Sequence, residues 1–217
     1  MRLYTNKKNL INMLYGVGLL LIIVFFNRYV YDGTEKFKST LDGENYRVRP
    51  GPNGQLKADL LAFIRFKLQT LVDALQTDPT MVTDPAVRRL ITNWNKGVSI
   101  KEIGQMETDA AYVINKQNMA FCLQDLPVEG SNTKTTSFPD TNLISYVCIH
   151  ELAHVMSVET GHGSEFIENF DKLLRYAQKV KYKNPFSGQI ETLYTPLNEV
   201  PGTSDNYCGV PLTNSMV

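Results

Sequence analysis

All three histidines of this 217-residue chain fall between positions 150 and 162, in the run His150-Glu151-Leu152-Ala153-His154-Val155-Met156-Ser157-Val158-Glu159-Thr160-Gly161-His162. The first five residues read H-E-x-x-H, and this pattern constrains the fold more than anything else in the sequence. On an α-helix, positions i and i+4 lie one turn apart on the same face, so His150 and His154 present two imidazoles to one cation. Glu151 projects about 100° around the axis, beside the cation rather than on it, and is placed to take a proton from an activated water. His162 follows Gly161, a residue at which a helix ends and the chain turns back. Three protein ligands with a fourth position open describe a catalytic zinc site, whereas structural sites close all four.

The flanks fit a catalytic helix better than a surface helix that happens to carry two histidines. Asp140 or Thr141 caps its start. Ile144, Cys148, Leu152 and Val155 form an apolar stripe away from the histidines, which buries the helix in a core. Only the small residues Ala153 and Ser157 follow the ligands on the expected metal-facing side, which leaves room for substrate.

Beyond the helix, Gly161-His162-Gly163-Ser164-Glu165-Phe166 resembles the G-H-G-x-x-F signature of the SprT-like and WLM zinc peptidases, a group that includes a DNA-dependent protease. The resemblance implies that His162 is the third zinc ligand and that Phe166 packs at the start of the next helix. His162 lies eight positions after His154, whereas the metzincins place their third histidine six positions on. Glu165 stands as a competing third ligand of the gluzincin type. Tyr112-Val113-Ile114-Asn115-Lys116, Ala120-Phe121-Cys122-Leu123 and Tyr207-Cys208-Gly209 look like pieces of a WLM-type group found in giant DNA viruses and algae. Tyr46-Arg47-Val48-Arg49 and Ala58-Asp59-Leu60-Leu61 look like its opening, so the match covers about residues 46–212.

The implied fold is α+β: a minimal zincin with an H-E-x-x-H helix, a small, mainly antiparallel sheet and flanking helices. In such zincins a strand before the active helix borders the cleft and takes the substrate peptide as an additional strand. Here Gly130 to Thr141 replaces the tight loop expected before that helix and reads as a rim over the cleft.

The N-terminus reads differently. Residues 10–26 are apolar except for Asn12, and the run continues to Tyr31. At about 1.5 Å per residue it reaches about 33 Å, enough for a bilayer core of about 30 Å. No small-x-small cleavage site follows, so an uncleaved transmembrane anchor is expected rather than a signal peptide. Arg2, Lys7 and Lys8 before the run, against Arg28, Lys36 and Lys38 after it, set no firm orientation. The expected organisation is a basic flank over 1–9, a transmembrane helix over 10–31, a polar stalk over 32–45 and a zinc peptidase domain over 46–217. The expected location is a single-pass protein of a host or virion membrane.

Within the domain, Leu60, Leu61, Ile64, Leu68, Leu71, Val72 and Leu75 recur at helical spacing. Asp84-Pro85 opens a second helix carrying Val87, Leu90, Ile91 and Trp94. Ala111–Ile114 and Met119–Leu123 flank a polar turn and read as a hairpin. Phe166 to Ala177 continues as an amphipathic helix, and the tail from Tyr182 is rich in turn residues. A net charge of zero and the lack of a basic run argue against a nucleic-acid surface. Cys148 reads as a core residue, while Cys122 and Cys208 are either paired in an oxidising compartment or free thiols.

The functional expectation is a membrane-anchored, zinc-dependent metallopeptidase acting on a protein or peptide substrate. His150, His154 and His162 hold Zn2+, and Glu151 is the general base. Tyr194 and Tyr207 are candidates for a second oxyanion donor, and the sequence does not choose between them. The alternative is a non-catalytic membrane or virion protein whose zinc site serves folding or partner binding.

Overall fold

The computed structural model describes residues 2–29, 33–104, 107, 109–123, 126–127, 136–137, 140–197, 206–208 and 210–211, with side chains of the first helix described for residues 9–24. That helix, α1, spans Arg2–Tyr29. The expected transmembrane segment over 10–31 does not hold: among the described residues no helix is long and apolar enough to cross a membrane. The single-pass membrane location rested on that segment and is withdrawn with it.

The expected stalk contains structure. Strands β1 (Glu35–Lys38) and β2 (Asn45–Val48) form an antiparallel hairpin with Glu35 opposite Val48. The hairpin packs on helix α2 (Gly54–Thr77), where the Phe37 ring occupies the space a Cβ at Gly54 would need. Asp59 of α2 accepts hydrogen bonds from the Ser39 hydroxyl (2.9 Å) and the Thr40 backbone N–H (2.6 Å), which pins the hairpin to the helix.

α2 buries most of the expected stripe, with Leu61, Ile64, Leu68, Leu71, Val72 and Leu75 inside and Leu60 only partly buried. Each such side chain contributes about 1.5–3 kcal/mol on burial. Helix α3 (Pro85–Asn95) begins as its sequence demands, with the Asp84 carboxylate accepting from the Ala86 N–H. Trp94 is buried, and its Nε1 donates to Gln69 Oε1 at 2.7 Å.

A three-stranded sheet follows, formed by β3 (Ser99–Glu102), β4 (Ala111–Ile114) and β5 (Asn118–Phe121) in the order β3-β5-β4. The β4–β5 hairpin is antiparallel as expected, but β3 runs parallel to β5, so this sheet is mixed rather than mainly antiparallel. β3 escapes a reading for apolar alternation because one of its two inward positions is Glu102. That carboxylate is satisfied by Lys57 Nζ at 2.7 Å and the Arg49 N–H at 2.6 Å.

Short strands β6 (Leu126–Pro127) and β7 (Thr136–Ser137) pair antiparallel, and the rest of the expected rim over 130–141 lies mostly outside the described residues. Helices α4 (Thr141–Met156) and α5 (Ser164–Ala177) complete the core. The tail is more regular than its composition suggests: β8 (Lys181–Lys183) pairs with β9 (Ile190–Thr192), and β10 (Asn206–Tyr207) with β11 (Val210–Pro211). Cys122 and Cys208 form a disulfide across a sequence separation of 86, and Cys148 is a buried free thiol.

Candidate metal centre

α4 is the central element of the core. Asp140 caps it, its carboxylate accepting from the Asn142 and Leu143 N–H groups. The expected stripe of Ile144, Cys148, Leu152 and Val155 is buried, and so are Leu143, Val147 and Ile149. A helix buried on nearly every side has one opening, and there His150 and His154 are partly exposed.

The chain brings all three histidines together. Their ring nitrogens lie within 4.8 Å of one another, with 3.0 Å between His162 Nε2 and His150 Nε2. Two nitrogens bound to one tetrahedral zinc at about 2.05 Å stand about 3.3 Å apart, so the donor set suits such an ion. Burial holds His150 down to about 3 and His154 down to about 4, each also lowered by a neighbouring histidine. Both rings are therefore neutral at pH 7, the form that ligates metal.

Phe166 lies beneath the cluster. Its ring stacks on His154 at 4.3 Å and meets His150 and His162 edge-on at 4.8 and 4.7 Å. Phe170, one turn further along α5, packs edge-on against His150 at 5.1 Å. These aromatics fix the ring orientations and keep water from the inner side.

Glu151 is 4% exposed and lines the same cleft as the histidines. Burial raises its carboxyl from 4.5 to about 8. Among the described residues no hydrogen-bond donor meets it. The cleft, about 460 Å³, opens between α4 and the outer edge of β4, and Tyr112, Val113, Asn115 and Lys116 form its far wall. The open space beside the histidines therefore lies toward β4. The small residues Ala153 and Ser157 do not provide it, because both are buried, and Ser157 Oγ accepts from Asn169 Nδ2 at 2.9 Å.

Glu165, the competing ligand, is engaged elsewhere. Its carboxylate accepts from the Val158 and Glu159 N–H groups and from Arg89 Nη1 at 2.8 Å. The Val158 N–H, with Glu159 and Arg89 acting in the same sense, holds this carboxyl below its usual range. Neither oxyanion candidate is among the described cleft-lining residues. The Tyr207 phenol is buried and donates to the Cys122 carbonyl at 2.6 Å, and Tyr194 is buried against Tyr146 at 6.1 Å.

Sequence reasoning missed the residues that hold the end of α4. The last four carbonyls of an α-helix lack partners within the helix. Here the Ala153 carbonyl accepts from Ser157 Oγ (2.8 Å) and the His154 carbonyl from Lys116 Nζ (2.6 Å). The Val155 carbonyl accepts from Asn93 Nδ2 (3.1 Å) and the Met156 carbonyl from Arg89 Nη1 (2.7 Å). Arg89 and Asn93 sit at i and i+4 on α3, a pair that reads as ordinary surface polarity. Lys116 carried a better signal. It occupies a tight turn between strands, where φ is positive at both Asn115 (53°) and Lys116 (59°), and where glycine is the usual residue.

Comparison with known proteins points to viruses. The chain is 26% identical over 170 residues to an uncharacterized protein of Acanthamoeba polyphaga mimivirus, an alignment that covers 76% of this chain and 82% of that relative. It is 28% identical over 102 residues to an uncharacterized protein of Invertebrate iridescent virus 6, covering 47% of this chain and 54% of the relative. A third relative, from Invertebrate iridescent virus 3, is 31% identical over 80 residues, covering 37% and 46%. No family model matches the chain, and no solved structure matches it.

Proposed function

We propose that the chain is a zinc-dependent metallopeptidase of viral origin. The observation that carries this reading is Glu151, a buried carboxylate that meets no donor among the described residues, beside three converged imidazoles in an open cleft. A site that served folding alone has no need of that carboxylate. His150, His154 and His162 would hold the ion, which when bound supplies Lewis-acid activation of water. Glu151 accepts the proton released by that water and returns it to the leaving amine. The resemblance of the H-E-x-x-H and G-H-G-x-x-F pieces to SprT-like and WLM peptidases supports the same assignment, and the viral relatives support the origin.

The substrate would be an extended peptide. β4 pairs with β5 on one side, and its residues wall the cleft on the other, so a peptide added along that edge runs past the histidines.

The test is metal content joined to cleavage. The purified chain is expected to bind about one zinc and to cleave an unfolded protein, with activity lost to a chelator and restored by zinc. His162→Ala is expected to abolish cleavage and weaken zinc binding sharply. A wild-type protein that holds zinc yet cleaves nothing across varied unfolded substrates would assign the site to folding or partner binding instead.

A further inference from the structure

The third ligand comes from a loop, and a loop needs something to hold it. His162 is exposed and follows Gly161, whose φ is +91°. Its ring touches the other histidines and Phe166, contacts that form only when the loop is already in place. The backbone of that loop, between α4 and α5, is held from outside the metal centre. Glu165 reaches back from the first turn of α5 and accepts from the Val158 N–H at 3.0 Å and the Glu159 N–H at 3.2 Å. Arg89 of α3 donates through one nitrogen both to Glu165 at 2.8 Å and to the Met156 carbonyl at 2.7 Å. One ion pair thus ties α3 to three further parts of the chain: the last turn of α4, the loop and the first turn of α5. On the other side Lys116 Nζ bridges the His154 and Glu159 carbonyls at 2.6 and 3.3 Å.

We infer that Arg89 and Glu165 are positioning residues for the metal centre, setting the place of His162 by clamping the loop that carries it. The inference rests on the metal-centre reading of the three histidines. Neither residue touches the ion or substrate. Glu165, which the sequence offered as a rival ligand, acts instead through the backbone leading to the real one. Both side chains are about 30% exposed, so their removal spares the core while freeing the loop.

The experiment uses the full chain and reads metal rather than turnover. Zinc affinity is measured by competition with a chromophoric chelator, and the visible absorption of the Co2+-loaded protein reports the ligand set. Glu165→Ala and Arg89→Ala are each expected to weaken zinc binding by about 10–100-fold, the usual scale for residues that orient a ligand, and to alter the cobalt spectrum. The metal-free proteins should keep wild-type circular dichroism. In a His162→Ala background, Glu165→Ala should change zinc affinity by less than about 2-fold, because the residue through which it acts is gone. If Glu165→Ala does not fold, Glu165→Gln, which keeps one acceptor oxygen, takes its place in every comparison. Single variants that match wild type in affinity and cobalt spectrum overturn the inference, as does a full additional loss in the His162→Ala background. A wild-type chain that binds no zinc overturns the metal-centre reading itself, an outcome separate from either of these.

Discussion

Two glutamates of this domain are buried almost equally, and they are treated in opposite ways. Glu102 on β3 is fully inaccessible, and both its oxygens are taken, one by Lys57 Nζ at 2.7 Å and one by the Arg49 N–H at 2.6 Å. Glu151 on α4 is 4% exposed, meets no donor among the described residues, and has its carboxyl pushed up to about 8 by burial. A carboxylate that serves the fold is fully satisfied, because an unpaired buried charge is costly. A carboxylate left short of partners beside a cleft is one that can still take up a proton, which is how functional groups with displaced pKa values are recognised. The H-E-x-x-H pattern singles out Glu151 in the sequence, but only the neighbours that folding supplies show that Glu102 is satisfied and Glu151 is not.

The contrast predicts opposite responses to the same kind of substitution. The largest effect is expected at Glu102. Glu102→Ala strands the Lys57 ammonium and the Arg49 N–H, and should cost about 3–5 kcal/mol of stability, read as a lower denaturant midpoint. A cost under about 1 kcal/mol would mean that the pair is not structural. Next, Glu151→Gln should lower peptide hydrolysis at least about 10²-fold, with zinc content and unfolding nearly unchanged. Retained activity would remove Glu151 from the chemistry, and lost zinc would mean that it is a ligand.

Smaller effects concern pH. In metal-free protein, Glu151 has a folded pKa of about 8, above its ordinary 4.5. The folded state binds the extra proton, so this group's contribution is full below about 4.5 and is lost as pH rises through 8. Between those values wild type should lose stability relative to Glu151→Gln, as read by paired thermal melts, and parallel curves would contradict the shift.

The smallest effect is expected behind α4, at Lys67. Its ammonium is buried, donates to Ser145 Oγ and lies over the Phe63 and Tyr182 rings, with its pKa lowered to about 8 by burial. Here the sign reverses. The unfolded chain binds more protons between about 8 and 10.5, so stability should rise with pH across that window. The lowered value shows that desolvation outweighs the cation–π attraction of about 0.5–2 kcal/mol. Lys67→Met should therefore raise the melting temperature at pH 7 by a few degrees, with the gain vanishing by about pH 10.5. Ser145 keeps its bond to the Thr141 carbonyl at 2.7 Å and is not stranded by the change.

What the sequence by itself determined was local and periodic. The cap at Asp84, the stripe of α2, the β4–β5 hairpin and the i, i+4 placement of His150 and His154 each depend on residues within a few positions of one another. These features follow from helix and strand periods and from capping chemistry, which act within one element. A long apolar run at the N-terminus also reads as an anchor, yet among the described residues no helix is long and apolar enough to cross a membrane.

Tertiary structure decided the rest. It laid β3 parallel to β5, paired Cys122 with Cys208, turned Glu165 from the three histidines toward the loop backbone and brought Arg89, Asn93 and Lys116 onto the last carbonyls of α4. Most of these join groups far apart in the chain, and most of the residues involved look like ordinary surface or turn residues until folding sets an unsatisfied donor or acceptor opposite them. A buried polar group must find a partner wherever the fold puts one, and that demand acts through space rather than along the chain.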